Sequence, residues 1–115
     1  MRKIESQMLL AIENRKDWNC GNTRVDVTYF AHGDKIIDRI SVYLHNNKIA
    51  QITPDSVTVC DCGYQTTTTK SRLNAILRYL CNSAVSQAKH VWYGHPKDAP
   101  TFEFESHTEY TFARI

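Results

Sequence analysis

The sequence predicts an α+β fold: an antiparallel sheet of about five to six strands with two helices packed on one face. Three observations lead there. Two stretches carry apolar residues at helical spacing. Between and after them run short segments in which apolar and polar residues alternate, bounded by turn residues. These segments follow one another directly, without the helix between strands that a parallel sheet needs.

The first helix is expected over about Arg2 to Asn14. Ile4, Met8, Leu9 and Ile12 form its apolar stripe, with Glu5 and Glu13 outside and Arg15-Lys16 at its negative end. Asn19-Cys20-Gly21-Asn22 is a turn cluster. Arg24 to Phe30 alternates, with Val25, Val27 and Tyr29 on one side, and Ala31-His32-Gly33-Asp34 reads as a loop. Ile40, Val42 and Leu44 alternate with Arg39, Ser41, Tyr43 and His45. Asn46-Asn47 then reads as a two-residue type I′ turn into the strand of Lys48 to Ile52. After Thr53-Pro54-Asp55-Ser56, Val57 and Val59 oppose Thr58, Cys60 and Cys62, and Gly63 closes the strand.

The second helix runs from Thr69 to about Asn82. Leu73, Ile76, Leu77, Leu80 and Cys81 lie on one face, and a threonine caps the start. Ser83 to Gln87 suits either a helical extension or a strand, and the helix is taken to end near Asn82. Val91-Trp92-Tyr93 favours a strand, Gly94 to Pro100 a loop, and Phe102 and Phe104 alternate with Glu103 and Glu105. Tyr110-Thr111-Phe112 is a candidate last strand.

The bulk composition bounds the function. The chain has 115 residues, 42% apolar and 23% charged, with four glycines and three prolines. That describes one domain, 1–115, able to bury a core without staples, and neither disordered nor repetitive. No apolar run approaches the ~18 residues that span a bilayer, so no membrane partner is expected. Met1 to Gln7 has neither the apolar core nor the cleavage site of a secretory leader. Cys20, Cys60, Cys62 and Cys81 sit mostly within apolar patterns and read as free thiols of a reducing compartment. The net charge of +2 permits a polyanionic partner without demanding one.

Several stretches between positions 20 and 93 are distinctive: Gly21-Asn22-Thr23-Arg24-Val25, Val42-Tyr43-Leu44-His45-Asn46-Asn47-Lys48-Ile49-Ala50, Cys62 to Ala75, and Val91-Trp92-Tyr93. In these the chain resembles a family of small early or accessory proteins of tailed phages. Relatives more often carry Leu-His-Gly-Asn in place of Leu44-His45-Asn46-Asn47, and Gly-Trp in place of Gly63-Tyr64. The segment after Gly94 departs from the pattern. The resemblance carries no catalytic signature. It implies a protein of the host cell cytoplasm that acts on nucleic acid or on a host factor.

Four constellations bear on chemistry. In Thr66-Thr67-Thr68-Thr69-Lys70-Ser71-Arg72, a helix N-terminus with hydroxyls and two cations could anchor phosphate through Thr68, Thr69, Lys70 and Arg72, although capping alone accounts for the threonines. Basic residues also interleave with aromatics. Lys70, Asn74 and Arg78 share a helix face, Arg39, Tyr43 and His45 share a strand face by parity, and Arg24 and Lys48 add charge. Tyr43, Tyr64 or Trp92 could stack bases. The competing reading is a solvated helix face with aromatics completing a small core. Cys60-Asp61-Cys62 lacks the C-x₂₋₄-C spacing of zinc knuckles, so no metal is expected. His32, His45, His90, His95 and His107 are scattered outside any catalytic motif, so neither an enzyme nor a cofactor is expected.

The sequence thus leads to a nucleic-acid-binding protein, for single-stranded DNA first, with a regulatory role in transcription or replication. Lys70, Arg72 and Arg78 are its expected phosphate contacts. The alternative is a host-takeover factor that binds a host enzyme. A homodimer suits either, through a sheet edge formed by the Glu103–Glu105 strand or by Val91-Trp92-Tyr93.

Overall fold

The computed structural model of the protein describes residues 2–115. Helix α1 spans Lys3–Asn14 and stops at Arg15, whose left-handed backbone (φ 53°) ends the helical ladder. Met8, Leu9 and Ile12 face inward as expected, and Glu5, expected outside, is buried with them. Strand β1 is Trp18–Cys20, β2 Thr23–His32, β3 Lys35–Leu44, β4 Asn47–Ile52 and β5 Ser56–Val59. Helix α2 spans Thr67–Cys81. It is followed by β6 (Ala84–Ala88), β7 (Val91–His95), β8 (Phe102–Glu103) and β9 (Tyr110–Ala113).

The fold is α+β, with more strands than the alternation suggests. One antiparallel sheet has six strands in the order β1-β2-β3-β4-β5-β9, and a second has three in the order β6-β7-β8. Residues paired across antiparallel strands share a face. Val25, Val42, Ala50, Val59 and their alternates therefore form one inner face, against which α1 and α2 pack. No described helix is long and apolar enough to cross a membrane.

Two local features differ from the sequence reading, and a third, left open there, is decided. The β3–β4 turn is His45-Asn46, not Asn46-Asn47, because Leu44 pairs with Asn47. Both turn residues have positive φ, 51° and 66°, as a type I′ turn requires. A register shift between Val42 and Tyr43 accommodates the slip and sends Ile49 and Ala50 to the core side by side.

The expected loop at Ala31–Asp34 is strand and tight turn. β2 and β3 continue pairing to His32↔Lys35, beyond the ends of β1 and β4. From Thr28↔Arg39 onward they form a two-stranded arm with no neighbouring strand among the described residues. Gly33 turns it at φ 64°.

Ser83–Gln87 resolves as strand. α2 ends at Asn82 in a left-handed cap, and Ala84–Ala88 forms a hairpin with β7 through Lys89-His90. Asn74 fixes β6 to the helix, donating to the Val85 carbonyl at 2.9 Å and accepting from its N–H at 2.6 Å. β7 is the middle strand of its sheet, so the Val91-Trp92-Tyr93 edge expected for dimerisation is already paired on both sides. Trp92 and Phe104, both 1% exposed, pack at 5.9 Å between ring centres. Burial of each such ring stabilises the fold by about 1.5–3 kcal/mol.

Candidate nucleic-acid interface

The outer face of the six-stranded sheet follows from the same pairing. Arg24 stands opposite Tyr43, Asp26 opposite Ser41, Thr28 opposite Arg39 and Phe30 opposite Ile37. The bulge turns Lys48 to Tyr43's side. None of these side chains is buried. The sheet therefore gathers four of the sequence-predicted residues, Arg24, Arg39, Tyr43 and Lys48, on one uncovered surface.

Two cations on this face lie over rings. The Arg24 guanidinium is 4.2 Å from the centre of Tyr43, and that of Arg39 is 4.7 Å from Phe30. Such pairs are attractive at the surface and hold the guanidinium flat. Arg24 also donates to Asp26 at 3.1 Å and to Asn46 at 3.2 Å, and Lys48 donates to Gln51 at 3.1 Å. Lys35, at the tip of the arm, adds a fourth cation to the face by pairing parity. Asp26 is the acidic residue among them, and Glu109 lies beside Lys48 and Cys60 at the opposite end.

A polar hollow of about 270 Å³ borders this face, lined by Asn22, Arg24, Tyr43, His45 and Asn46 among others. His45 also lines a second, larger cleft of about 440 Å³. That cleft holds three more sequence-predicted residues, Tyr64, Thr68 and Thr69, at the start of α2. The Thr66 hydroxyl caps the helix, accepting from the Thr69 N–H at 3.1 Å. Tyr64 is 58% exposed, whereas Thr69 is buried.

The remaining predicted residues do not join. Arg72 is 3% exposed and bound to Glu5 at 2.7 Å, with further bonds to Thr23 and Asn22, so it cannot neutralise an external phosphate. Trp92 is a core ring and cannot stack a base. Lys70 donates to Gln87 of β6 at 3.1 Å. The shared face of Lys70, Asn74 and Arg78 is thus largely taken by β6. Arg78 lies in a separate groove with Arg2, Ser71 and Tyr79, between the helices.

Sequence reading missed Phe30 and Asp61. Phe30 had a signal, since it follows the same alternation as Asp26 and Thr28. Asp61 is 1% exposed and anchors two loops. Its Oδ1 accepts from the N–H groups of Gly63 at 2.8 Å and His107 at 2.9 Å, and from the Ser106 hydroxyl at 3.5 Å.

The thiols of Cys60-Asp61-Cys62 stay close to backbone. Cys62 donates to the Lys48 carbonyl at 3.1 Å, and its own N–H approaches the Cys60 sulfur at 3.3 Å. Burial, with the neighbouring Cys60, pushes the Cys62 thiol up to about 11. On the small sheet, the Ser86 hydroxyl lies 2.5 Å from His95 Nε2, and His95 Nδ1 lies 3.0 Å from Thr101. This relay has a hydroxyl where acyl-transfer sites place a carboxylate.

The sequence profile of one family, described as Kyanoviridae Gp96 protein, matches residues 1–113. No curated protein and no solved structure matches the chain.

Proposed function

We propose that this chain, which belongs to the Kyanoviridae Gp96 protein family of phage proteins, binds single-stranded nucleic acid, DNA first, on the outer face of its six-stranded sheet. The observation that carries the reading is the convergence of Arg24, Arg39, Lys48 and Tyr43 on that uncovered face, with Phe30 beside them. Cations spaced along paired strands suit a phosphate backbone. Tyrosine, phenylalanine and guanidinium planes offer flat surfaces for unstacked bases. A duplex hides its base faces, so the same surface favours single strands.

The role is binding and regulation in the host cell cytoplasm, without catalysis. The test is fluorescence anisotropy of labelled single-stranded DNA, duplex DNA and RNA, at low and near-physiological salt. Salt-sensitive binding that prefers single strands supports the reading. Absence of binding to all three at micromolar protein overturns it.

One observation favours the second reading, a host-protein partner. Tyr29 and Ile36, 60% and 77% exposed, stand on the inner-face side of the β2–β3 arm, where neither helix covers them. Exposed apolar side chains on unpaired strand edges suit β-augmentation by another protein. Under that reading, a discrete partner captured from host lysate is lost on Ile36→Lys, and oligonucleotides do not bind.

A further inference from the structure

The cleft beside α2 contains an unsatisfied charged oxygen. Asp61 is 1% exposed and lines the cleft, and its Oδ2 has no hydrogen-bond partner among the described residues. Its other oxygen carries all the loop-anchoring bonds. Burial of an unpaired polar atom costs free energy that a donor would recover.

The opposite wall supplies the complementary group. The first turn of α2 lines the same cleft through Thr66, Thr68 and Thr69. The Thr66 cap satisfies the Thr69 N–H and leaves the earlier N–H groups without intrahelical partners. By itself such a helix start invites phosphate. A buried carboxylate in the same cleft repels phosphate. The matching ligand therefore carries an N–H donor and a carbonyl or ring-nitrogen acceptor on one small planar edge. Tyr64, 58% exposed at the rim, offers a ring for it to lie on.

We infer that the cleft takes one splayed base of the bound strand, and that Asp61 Oδ2 reads an exocyclic amine. Cytosine is the leading fit, because carboxylates accept from its N4 amine while its N3 and O2 face donors. Thymine has no exocyclic amine, and its one donor, the ring N3–H, sits between two carbonyl oxygens that would face the carboxylate and repel it. His45 lines both the cleft and the hollow that holds Arg24 and Tyr43, so a strand crossing the sheet face can reach the cleft without a gap. This inference rests on the single-strand reading proposed above.

The test compares oligo-dC with oligo-dT of equal length, and adds free cytidine monitored by amide chemical shifts. The unchanged protein is expected to bind oligo-dC about tenfold more tightly. Asp61→Asn retains an acceptor at Oδ1 and replaces Oδ2 with a donor, so it should abolish or reverse that preference while oligo-dT affinity holds. Because Asp61 also anchors loops, Tyr64→Ala serves as a second variant at an exposed position. It should weaken oligo-dC more than oligo-dT. Equal affinity for the two homopolymers in the unchanged protein overturns the base reading and leaves strand binding standing. Failure of every oligonucleotide to bind overturns strand binding. In that event, cytidine shifts confined to residues 61–69 and lost in Asp61→Asn would support the cleft as a site for the free nucleoside, and no shifts would overturn it as well.

Discussion

Arg72 of α2 donates to Glu5 of α1 across 2.7 Å, and both residues are 3% exposed. Ser71 donates to the same Glu5 oxygen at 2.6 Å, and Arg72 Nε donates to Thr23 at 3.1 Å. One guanidinium thus ties both helices to the start of β2. Removal of one partner leaves a buried charge uncompensated, which costs about 3–5 kcal/mol, whereas replacing both with apolar residues is often close to neutral. Arg72→Met should lower the urea-unfolding free energy by that amount, and adding Glu5→Leu should restore most of it. An Arg72→Met protein within ~1 kcal/mol of the parent would show that the pair is not a structural tie.

The outer sheet face and the helix groove make opposite predictions about salt. Each phosphate contact on a single strand contributes about 0.7 to the slope of log affinity against log salt. Arg24→Ala and Arg39→Ala should each reduce the slope by about that much, and their effects should add. Arg78→Ala should leave it unchanged, because Arg78 lies between the helices, away from the face. A slope that responds to Arg78 and ignores Arg39 would move the interface to the helices.

This contrast marks what the sequence made legible. Pairing parity is local, so Arg24, Arg39 and Tyr43 could be placed on an outward face from alternation alone. Lys48 reached that face only through the Val42/Tyr43 bulge, which alternation does not reveal. Arg72 looked like a surface cation because its partner, Glu5, lies 67 residues away. Trp92 looked available because β7 reads the same at an edge as in the centre, whereas β6 and β8 flank it and Phe104 packs on its ring. The tip of the arm, Ala31–Asp34, reads as a loop because Ala31-His32-Gly33 breaks the apolar alternation. That break has a physical cause: away from the helices, neither face of the ribbon is held to a core.

Trp92 should stay silent when a strand binds the outer sheet face. Trp92 is 1% exposed, and Trp18 on β1, paired with the inner-face residue Val25, is half-buried against the core. In a Trp18→Phe protein, where emission comes from Trp92 alone, oligonucleotide titration should leave intensity and emission maximum unchanged. Strong quenching in that variant would place Trp92 in contact with the strand. Trp92→Ala should cost about 3–5 kcal/mol of stability, as deletion of a large buried ring does.

Alkaline pH should unfold the protein through its buried thiol. Cys81 is fully buried, and burial pushes its thiol from 9.0 up to about 11, although Arg114 pulls the other way. A group whose folded pKa lies above its unfolded value favours the folded state while protonated in both. That contribution is intact below pH 9 and is lost as pH rises through about 11. Cys62 has a similar shift, and the Tyr79 hydroxyl, bonded to Glu13 at 2.9 Å, is raised as well. The urea midpoint should therefore fall between pH 9 and 11. Cys81→Ala should flatten part of that decline, while Tyr79→Phe, at an exposed position, should alter it little. Alkylation supplies an independent check at neutral pH: exposed Cys20 should react first, and Cys81 only as fast as the protein opens. Rapid labelling of Cys81 in the folded protein would contradict its place in the core.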